Sequence, residues 1–154
     1  MYLNELYKEP KKYLNKEITL KGWIRSQRKQ KDFGFIDFSD GTCFKHIQVV
    51  YDNNLSNYNE VDSFRFGSSI EVVGTLIESE GQGQDYEIKA SSLKLLGDVD
   101  EDYPLQPKGR PTREYLREIA YLRPRTNLFN AVFRVRSVAA YAIHNYFQER
   151  GFVY

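Results

Sequence analysis

A single cysteine, Cys43, stands among the 154 residues. No disulfide can form within the chain, and a reducing compartment is expected. Histidine is almost as scarce. His46 and His144 have no partners at ligand spacing, so no metal site is expected. No stretch approaches the roughly 20 apolar residues that a membrane-spanning helix requires. The start MYLNELYKEP lacks the apolar run of a signal peptide. Charge of one sign is also missing. The 22 basic and 21 acidic side chains leave a net charge of only +1, so any nucleic-acid footprint must be a local patch. Nothing has the pattern of a catalytic triad or a working carboxylate pair. The expectation is a soluble, cytoplasmic chain without a membrane partner, forming one domain or a small domain plus part of another.

What the chain does have is aromatic side chains, 15% of its residues, with 12 tyrosines and 10 phenylalanines. Their placement is most informative between Ile18 and Asp52, ITLKGWIRSQRKQKDFGFIDFSDGTCFKHIQVVYD. From Glu17 to about Gln30, Ile18, Leu20, Gly22 and Ile24 alternate with Thr19, Lys21, Trp23 and Arg25, the period of a strand. Gly22 inside that strand suggests a bend or a close backbone approach. A second strand is expected over Phe33–Phe38, a tight turn at Asp40-Gly41, and a third strand over Cys43–Tyr51. Leu55, Tyr58, Val61 and Phe64 recur at three, which predicts a helix between Asn53 and Phe66, stopped by Gly67. Strands four and five follow over Ser69–Glu78 and Tyr86–Leu96, separated by the flexible loop SEGQGQD. Residues Tyr2 to Leu14 form a short helix broken at Pro10, which would cover one end of the barrel.

Five strands with a helix after the third define the mainly β oligonucleotide/oligosaccharide-binding barrel, the OB-fold, with its usual ligand face on strands two and three. Beyond it the composition changes. Asp98, Asp100, Glu101 and Asp102 are acidic, and Pro104, Pro107 and Pro111 favour an extended linker. The expected division is a barrel domain over 1–97, a linker over 98–111 and a helical segment over 112–154. In that segment Thr112 can cap a helix from Arg113 to about Leu122, and Pro124 breaks the chain. A helix of about 35 Å then runs from near Asn127 to Gly151, with an apolar stripe through Leu128, Val132, Val135, Ala139, Ala142, Ile143 and Tyr146.

Two constellations could carry binding. In the first, Arg25, Arg28, Lys29 and Lys31 end strand one, and Phe33, Phe35 and Phe38 sit on strand two, Phe33 and Phe35 sharing a face. Phe44, Lys45, His46 and Gln48 sit on strand three. Single-stranded nucleic acid needs cations for phosphate and flat rings for bases, and Gln48 with an arginine could supply donors and acceptors for a base edge. The competing reading places Phe33 and Phe35 in the core and makes the basic cluster a solvated loop. The second constellation is Arg123, Arg125, Arg134 and Arg136, read first as bracing the domain packing or pairing with acidic residues elsewhere in the protein, and second as phosphate contacts. Cys43 reads as a small buried residue. SEGQGQD opens no helix after a strand and makes a poor phosphate cradle.

GWIRSQR at Gly22–Arg28, FIDFSDGTCFKHIQVV at Phe35–Val50, YPLQPK at Tyr103–Lys108, EYLREIAYLRPRTN at Glu114–Asn127 and FRVRSVAAYAIHNYFQERGFVY at Phe133–Tyr154 resemble the asparaginyl-tRNA synthetases. The resemblance covers nearly the whole chain. The aspartyl and lysyl enzymes share the architecture, but DGTCFKHIQVV, LRPRTN and AIHNYFQERGF are most similar to the asparaginyl branch. It implies an N-terminal OB-fold anticodon-binding domain, then the start of a class II catalytic domain. Phe35 would stack on the central uracil of the tRNA anticodon, Gln48 would read its edge, and Arg28, with Arg25 as a weaker match, would contact the anticodon loop. The last segment is similar to the motif 1 helix of a homodimer interface, which would place Arg125, Val132, Val135, Ala139, Ile143 and Phe147 at that interface. Motifs 2 and 3 and the amino-acid pocket have no match here, so this stretch is expected to hold no cofactor and to do no chemistry. The parent would use ATP and Mg²⁺ to attach asparagine to its tRNA in translation. Tyr121 stands where the family usually has histidine, so that histidine's role does not carry over. Two alternatives stay open: a stand-alone OB-fold single-strand binder, and a portion of an aspartyl enzyme.

Overall fold

The computed structural model describes every residue except Gln82, Pro107, Lys108 and Arg110. The chain divides into two compact units, Met1–Gly109 and Arg110–Tyr154. The first unit is a closed five-stranded barrel. Its strands are β1 (Glu17–Lys29), β2 (Phe33–Ser39), β3 (Ile47–Asp52), β4 (Ser69–Glu78) and β5 (Tyr86–Gly97), in the order β1-β2-β3-β5-β4. Every pair is antiparallel except β3 with β5, which run parallel and close the barrel. The mainly β, OB-fold expectation therefore holds.

The alternation in β1 does what it implies. Ile18, Leu20 and Ile24 point inward with Ile36 and Phe38 of β2, Val49 of β3, and Ile70, Val72 and Leu76 of β4. Gly22 is the close approach that its position suggested. A Cβ there would meet the Ser39 carbonyl oxygen at 2.5 Å and the Phe38 ring at 2.6 Å. Tyr51 also lies in the core, its ring against Gly34 and its hydroxyl accepting from Gln27 Nε2 at 2.8 Å.

Several expectations need correction. Strand three starts at Ile47, not Cys43, because the preceding loop is committed elsewhere. Asp40 accepts from the Thr42 amide (2.9 Å) and hydroxyl (2.7 Å), and it also accepts from the Leu3 amide at 2.6 Å. Thr42 Oγ1 takes the Asn4 amide, and Tyr7 donates its hydroxyl to the His46 carbonyl at 2.6 Å. The loop thus satisfies the otherwise unpaired amides at the start of α1 (Leu3–Lys8). Leu3 and Leu6 of α1 are fully buried in the core, and α2 (Pro10–Tyr13) follows with Pro10 in its first turn. Cys43, in the same loop, is half-buried and its Sγ lies 3.2 Å from the Lys45 carbonyl.

The second correction concerns the helix after β3. Only α3 (Tyr58–Val61) is helical. The Asp52 side chain accepts from the Asn54 amide and its carbonyl from the Leu55 amide, so turns replace the first helical turns. Leu55, Val61 and Phe64 are still buried. Gly67 ends the segment with φ of 90°, and a Cβ there would press on the Tyr103 ring.

In the second unit, α4 covers only Arg113–Glu118, capped by Thr112 accepting from the Tyr115 amide at 3.2 Å. A 3₁₀ turn spans Arg123–Arg125, and α5 runs Asn127–Gln148, capped by Thr126. The expected glycine stop holds: the regular helix runs to Gln148 and Gly151 sits at the capping position. The Gly151 amide bonds the Gln148 carbonyl and the Phe152 amide the Phe147 carbonyl, with Gly151 at φ of 82° and the Phe147 and Phe152 rings 5.3 Å apart. This is a Schellman cap with its apolar contact. Arg123 lies over Phe129 (5.1 Å) and Phe133 (5.4 Å), and Arg134 Nε donates to Asn130, contacts local to α5 and the turn before it.

Candidate nucleic-acid interface

The register of β1, β2, β3 and β5 aligns two rows of side chains across the outer face of the barrel. One row is Ser26, Asp37, Gln48 and Glu87; the next is Arg28, Phe35, Val50 and Lys89. A bulge in β1 makes this possible. The pairing with β2 slips between Ile24 and Ser26, so Arg25 is the extra residue. Before it, even-numbered residues face the core. After it, Gln27 turns inward to Tyr51 and to the Val61 carbonyl (2.9 Å), while Ser26 and Arg28 face out.

Ser26, Arg28, Phe35, Asp37, His46, Gln48 and Gln84 line a cavity of about 250 Å³. Phe35 is half-buried, and the exposed Phe33 meets it edge-to-face with ring centroids 5.3 Å apart. That contact leaves a flat ring at the wall of the cavity. His46 Nδ1 lies 2.9 Å from Asp37 Oδ2. Gln48 donates from Nε2 to Glu87 Oε2 at 3.2 Å, and that oxygen also accepts from Ser79 Oγ (2.9 Å) and Gln84 Nε2 (3.1 Å). The cavity therefore offers an aromatic face, an amide edge, one guanidinium and the Asp37 carboxylate beside His46, with Glu87 holding the Gln48 amide from outside the lining. That set suits an uncharged base with donors and acceptors better than a bare phosphate.

Three predicted residues, Phe35, Gln48 and Arg28, come together here. Arg25 does not join them; its guanidinium lies over the Phe66 ring at 5.8 Å. The basic track is also thinner than the sequence suggests. Lys29 pairs with Asp62 and Lys45 sits over the Tyr7 ring. Phe44 is exposed on the β2–β3 loop, where His46 also sits, rather than on β3. Sequence reasoning missed Ser26, Asp37, Gln84 and Glu87. Asp37 was within reach, since it shares a parity with Phe35. Among the described residues, no three His, Cys, Asp or Glu side chains gather as a metal site, and no helix is long and apolar enough to cross a membrane.

The sequence profile of the OB-fold nucleic acid binding domain matches residues 18–96. The asparagine–tRNA ligase of Acholeplasma laidlawii is 55% identical over 153 residues, covering 99% of this chain and 33% of the relative. That of Clostridium tetani is 49% identical over 152 residues, with 99% and 33% covered. The chain spans about a third of the length of the curated relatives it matches. Among solved structures, an asparaginyl-tRNA synthetase from Pyrococcus horikoshii superposes with a TM-score of 0.81 at 20% identity, over 93% of this chain and 35% of that one. A putative aspartyl-tRNA synthetase from Leishmania major gives 0.79 at 15%, over 96% and 32%. At those identities the solved structures attest the fold. A barrel carrying a half-open aromatic pocket, matched along almost its whole length by asparagine–tRNA ligases, belongs to the OB-fold nucleic acid binding domain family.

Proposed function

We propose that this chain is the anticodon-binding portion of an asparagine–tRNA ligase, with the central uracil of the anticodon seated in the Phe35–Gln48 cavity. The observation that carries the reading is the placement of a half-exposed ring and a fixed amide on adjacent strands around one base-sized cavity. The ring stacks on the base, and the amide pairs with its edge. Arg28 contacts the loop backbone. The division into a barrel over 1–97, a linker over 98–111 and the start of a catalytic domain over 112–154 belongs to the same reading. In the longer protein, catalysis would attach asparagine to tRNA with ATP and Mg²⁺ in the cytoplasm. The exposed apolar residues of α5, Val132, Val135, Ile143 and Phe147, would lie with Ala139 and Arg125 at a homodimer interface. The aspartyl alternative is supported by fold likeness alone, whereas the asparagine reading has relatives at 49% and 55% identity.

The test is a titration with an anticodon stem-loop reading GUU, against the same loop with its central uracil replaced by adenine. The uracil loop should bind more tightly, and Gln48→Ala should reduce that preference about fivefold, the worth of one net hydrogen bond near 1 kcal/mol. Equal binding of both loops would make the chain a general single-strand binder. Failure to bind either loop would remove base reading from this chain.

Salt supplies a second check. Arginine and lysine displace counterions from phosphate, so affinity should fall several-fold between about 50 and 200 mM salt. Because Lys29 and Lys45 already have neighbours, the slope should be shallow, near that of one or two phosphate contacts. A flat response would exclude the phosphate contact assigned to Arg28.

A further inference from the structure

An amide is an ambiguous reader. Its oxygen and nitrogen are nearly the same size, and a half-turn exchanges acceptor for donor. Uracil presents a donor, N3–H, beside the acceptor O4. Cytosine presents an acceptor, N3, beside the donor N4–H₂. A glutamine free to turn over can pair with either base. Gln48 alone therefore cannot separate two pyrimidines of the same size and stacking surface.

The structure removes that freedom. Gln48 and Glu87 are register partners across the parallel β3–β5 pair, and Gln48 Nε2 lies 3.2 Å from Glu87 Oε2. A carboxylate only accepts, so the amide nitrogen must face β5 and its oxygen must take the opposite side. Turning the amide over would set oxygen against oxygen at that distance. Glu87 is itself held in place. Ser79 donates to it from Oγ, and Gln84 donates from Nε2 both to Glu87 (3.1 Å) and to Ser79 Oγ (2.9 Å). The Ser79 hydroxyl also accepts from the Gly81 amide at 3.1 Å, which commits its proton to Glu87. Orientation passes from the β4–β5 loop to Glu87, from Glu87 to Gln48, and from Gln48 to the base.

We infer that Glu87 is the positioning residue that lets this site distinguish uracil from cytosine, by locking the donor–acceptor sense of the Gln48 amide. The inference rests on the reading of the cavity as a uracil site and deepens it. With the lock in place, cytosine meets an acceptor with an acceptor and a donor with a donor. A glutamine at position 87 can offer Gln48 either a carbonyl or an amino group, so both orientations become available.

The test compares stem-loops reading GUU and GCU, titrated against the unaltered chain, Glu87→Gln and Ser79→Ala. The unaltered chain should prefer uracil by tenfold or more. Glu87→Gln should bring the two affinities to within about threefold, chiefly by improving cytosine binding. Ser79→Ala, which loosens Glu87 without touching Gln48, should narrow the ratio in the same direction by a smaller factor. A general structural role would weaken both loops alike and leave the ratio untouched, and that result would overturn the inference. If Glu87→Gln fails to fold, an unchanged ratio in Ser79→Ala overturns it equally. Failure of the underlying reading looks different: the unaltered chain would then bind uracil-, cytosine- and adenine-centred loops alike.

Discussion

Replacing Phe35 with alanine is expected to weaken binding of a uracil-centred stem-loop by about 1–3 kcal/mol, the cost of losing one stacked base. That is roughly 5- to 150-fold in affinity. The expectation follows from where the ring lies. Phe35 is on the outer face of β2, paired with Arg28 on one side and Val50 on the other, and it walls the cavity that Gln48 also lines. Its neighbours Gly34 and Ile36 point into the barrel. Removing the ring should therefore leave the core intact and the melting temperature close to that of the unaltered chain. Phe33 gives an internal comparison. It meets Phe35 edge-on and is more exposed, and it does not line the cavity, so Phe33→Ala should cost less. A folded Phe35→Ala variant with unchanged affinity would take the ring out of the site altogether.

The largest expected loss of stability comes from a position with no side chain. Gly22→Ala should destabilise the barrel by about 3 kcal/mol, the upper part of the range for overpacking a closed interior. The added methyl would meet the Ser39 carbonyl oxygen at 2.5 Å, the Phe38 ring at 2.6 Å and the Asp40 Cα at 3.0 Å. A flexible side chain could swing aside, but two of these three atoms belong to the β2 backbone and its continuation. The strands would have to separate where β1 crosses from β4 to β2. In a unit of this size the effect should appear as a drop of roughly 12–24 °C in the thermal midpoint. Gly81→Ala is the matched control: its Cβ would approach nothing nearer than Ser79 Oγ at 3.4 Å. A Gly22→Ala midpoint within two or three degrees of the parent would show that the barrel gives way at this point at little cost.

The alternation of Ile18, Leu20, Gly22 and Ile24 reads directly as one face of a strand, because a half-buried strand leaves no other pattern. The shared parity of Phe33 and Phe35 was legible for the same reason, but alternation left open which face they take, and only the family resemblance singled out Phe35 and Gln48. What could not be read were features set by distant partners. The strand expected from Cys43 begins only at Ile47, since Asp40 and Thr42 in the preceding loop bind the amides of α1 instead. The spacing of Leu55, Tyr58, Val61 and Phe64 identified apolar residues correctly, but a series of turns buries three of them as well as a long helix would. Arg25 looked like part of the basic patch; being the bulged residue, it leaves the rows that Ser26 and Arg28 join. Glu87 had no local signal, because its partner in the site is 39 positions away and meets it through a parallel pairing that no hairpin announces.

That parallel pairing also sets an order of events. Phe35 and Gln48 share an antiparallel hairpin-like pair, β2 with β3, and can come together early through nearby contacts. Glu87 reaches Gln48 only through the β3–β5 pairing, across 39 positions of chain, a contact expected to form later. Such long-range closures are the slow steps of small β-barrels. A partly assembled barrel would own a stacking surface but lack an oriented reader, so it would hold pyrimidines without telling them apart. RNA that recognises the finished site stabilises only the closed form, and its binding energy is added to the whole barrel rather than to one hairpin.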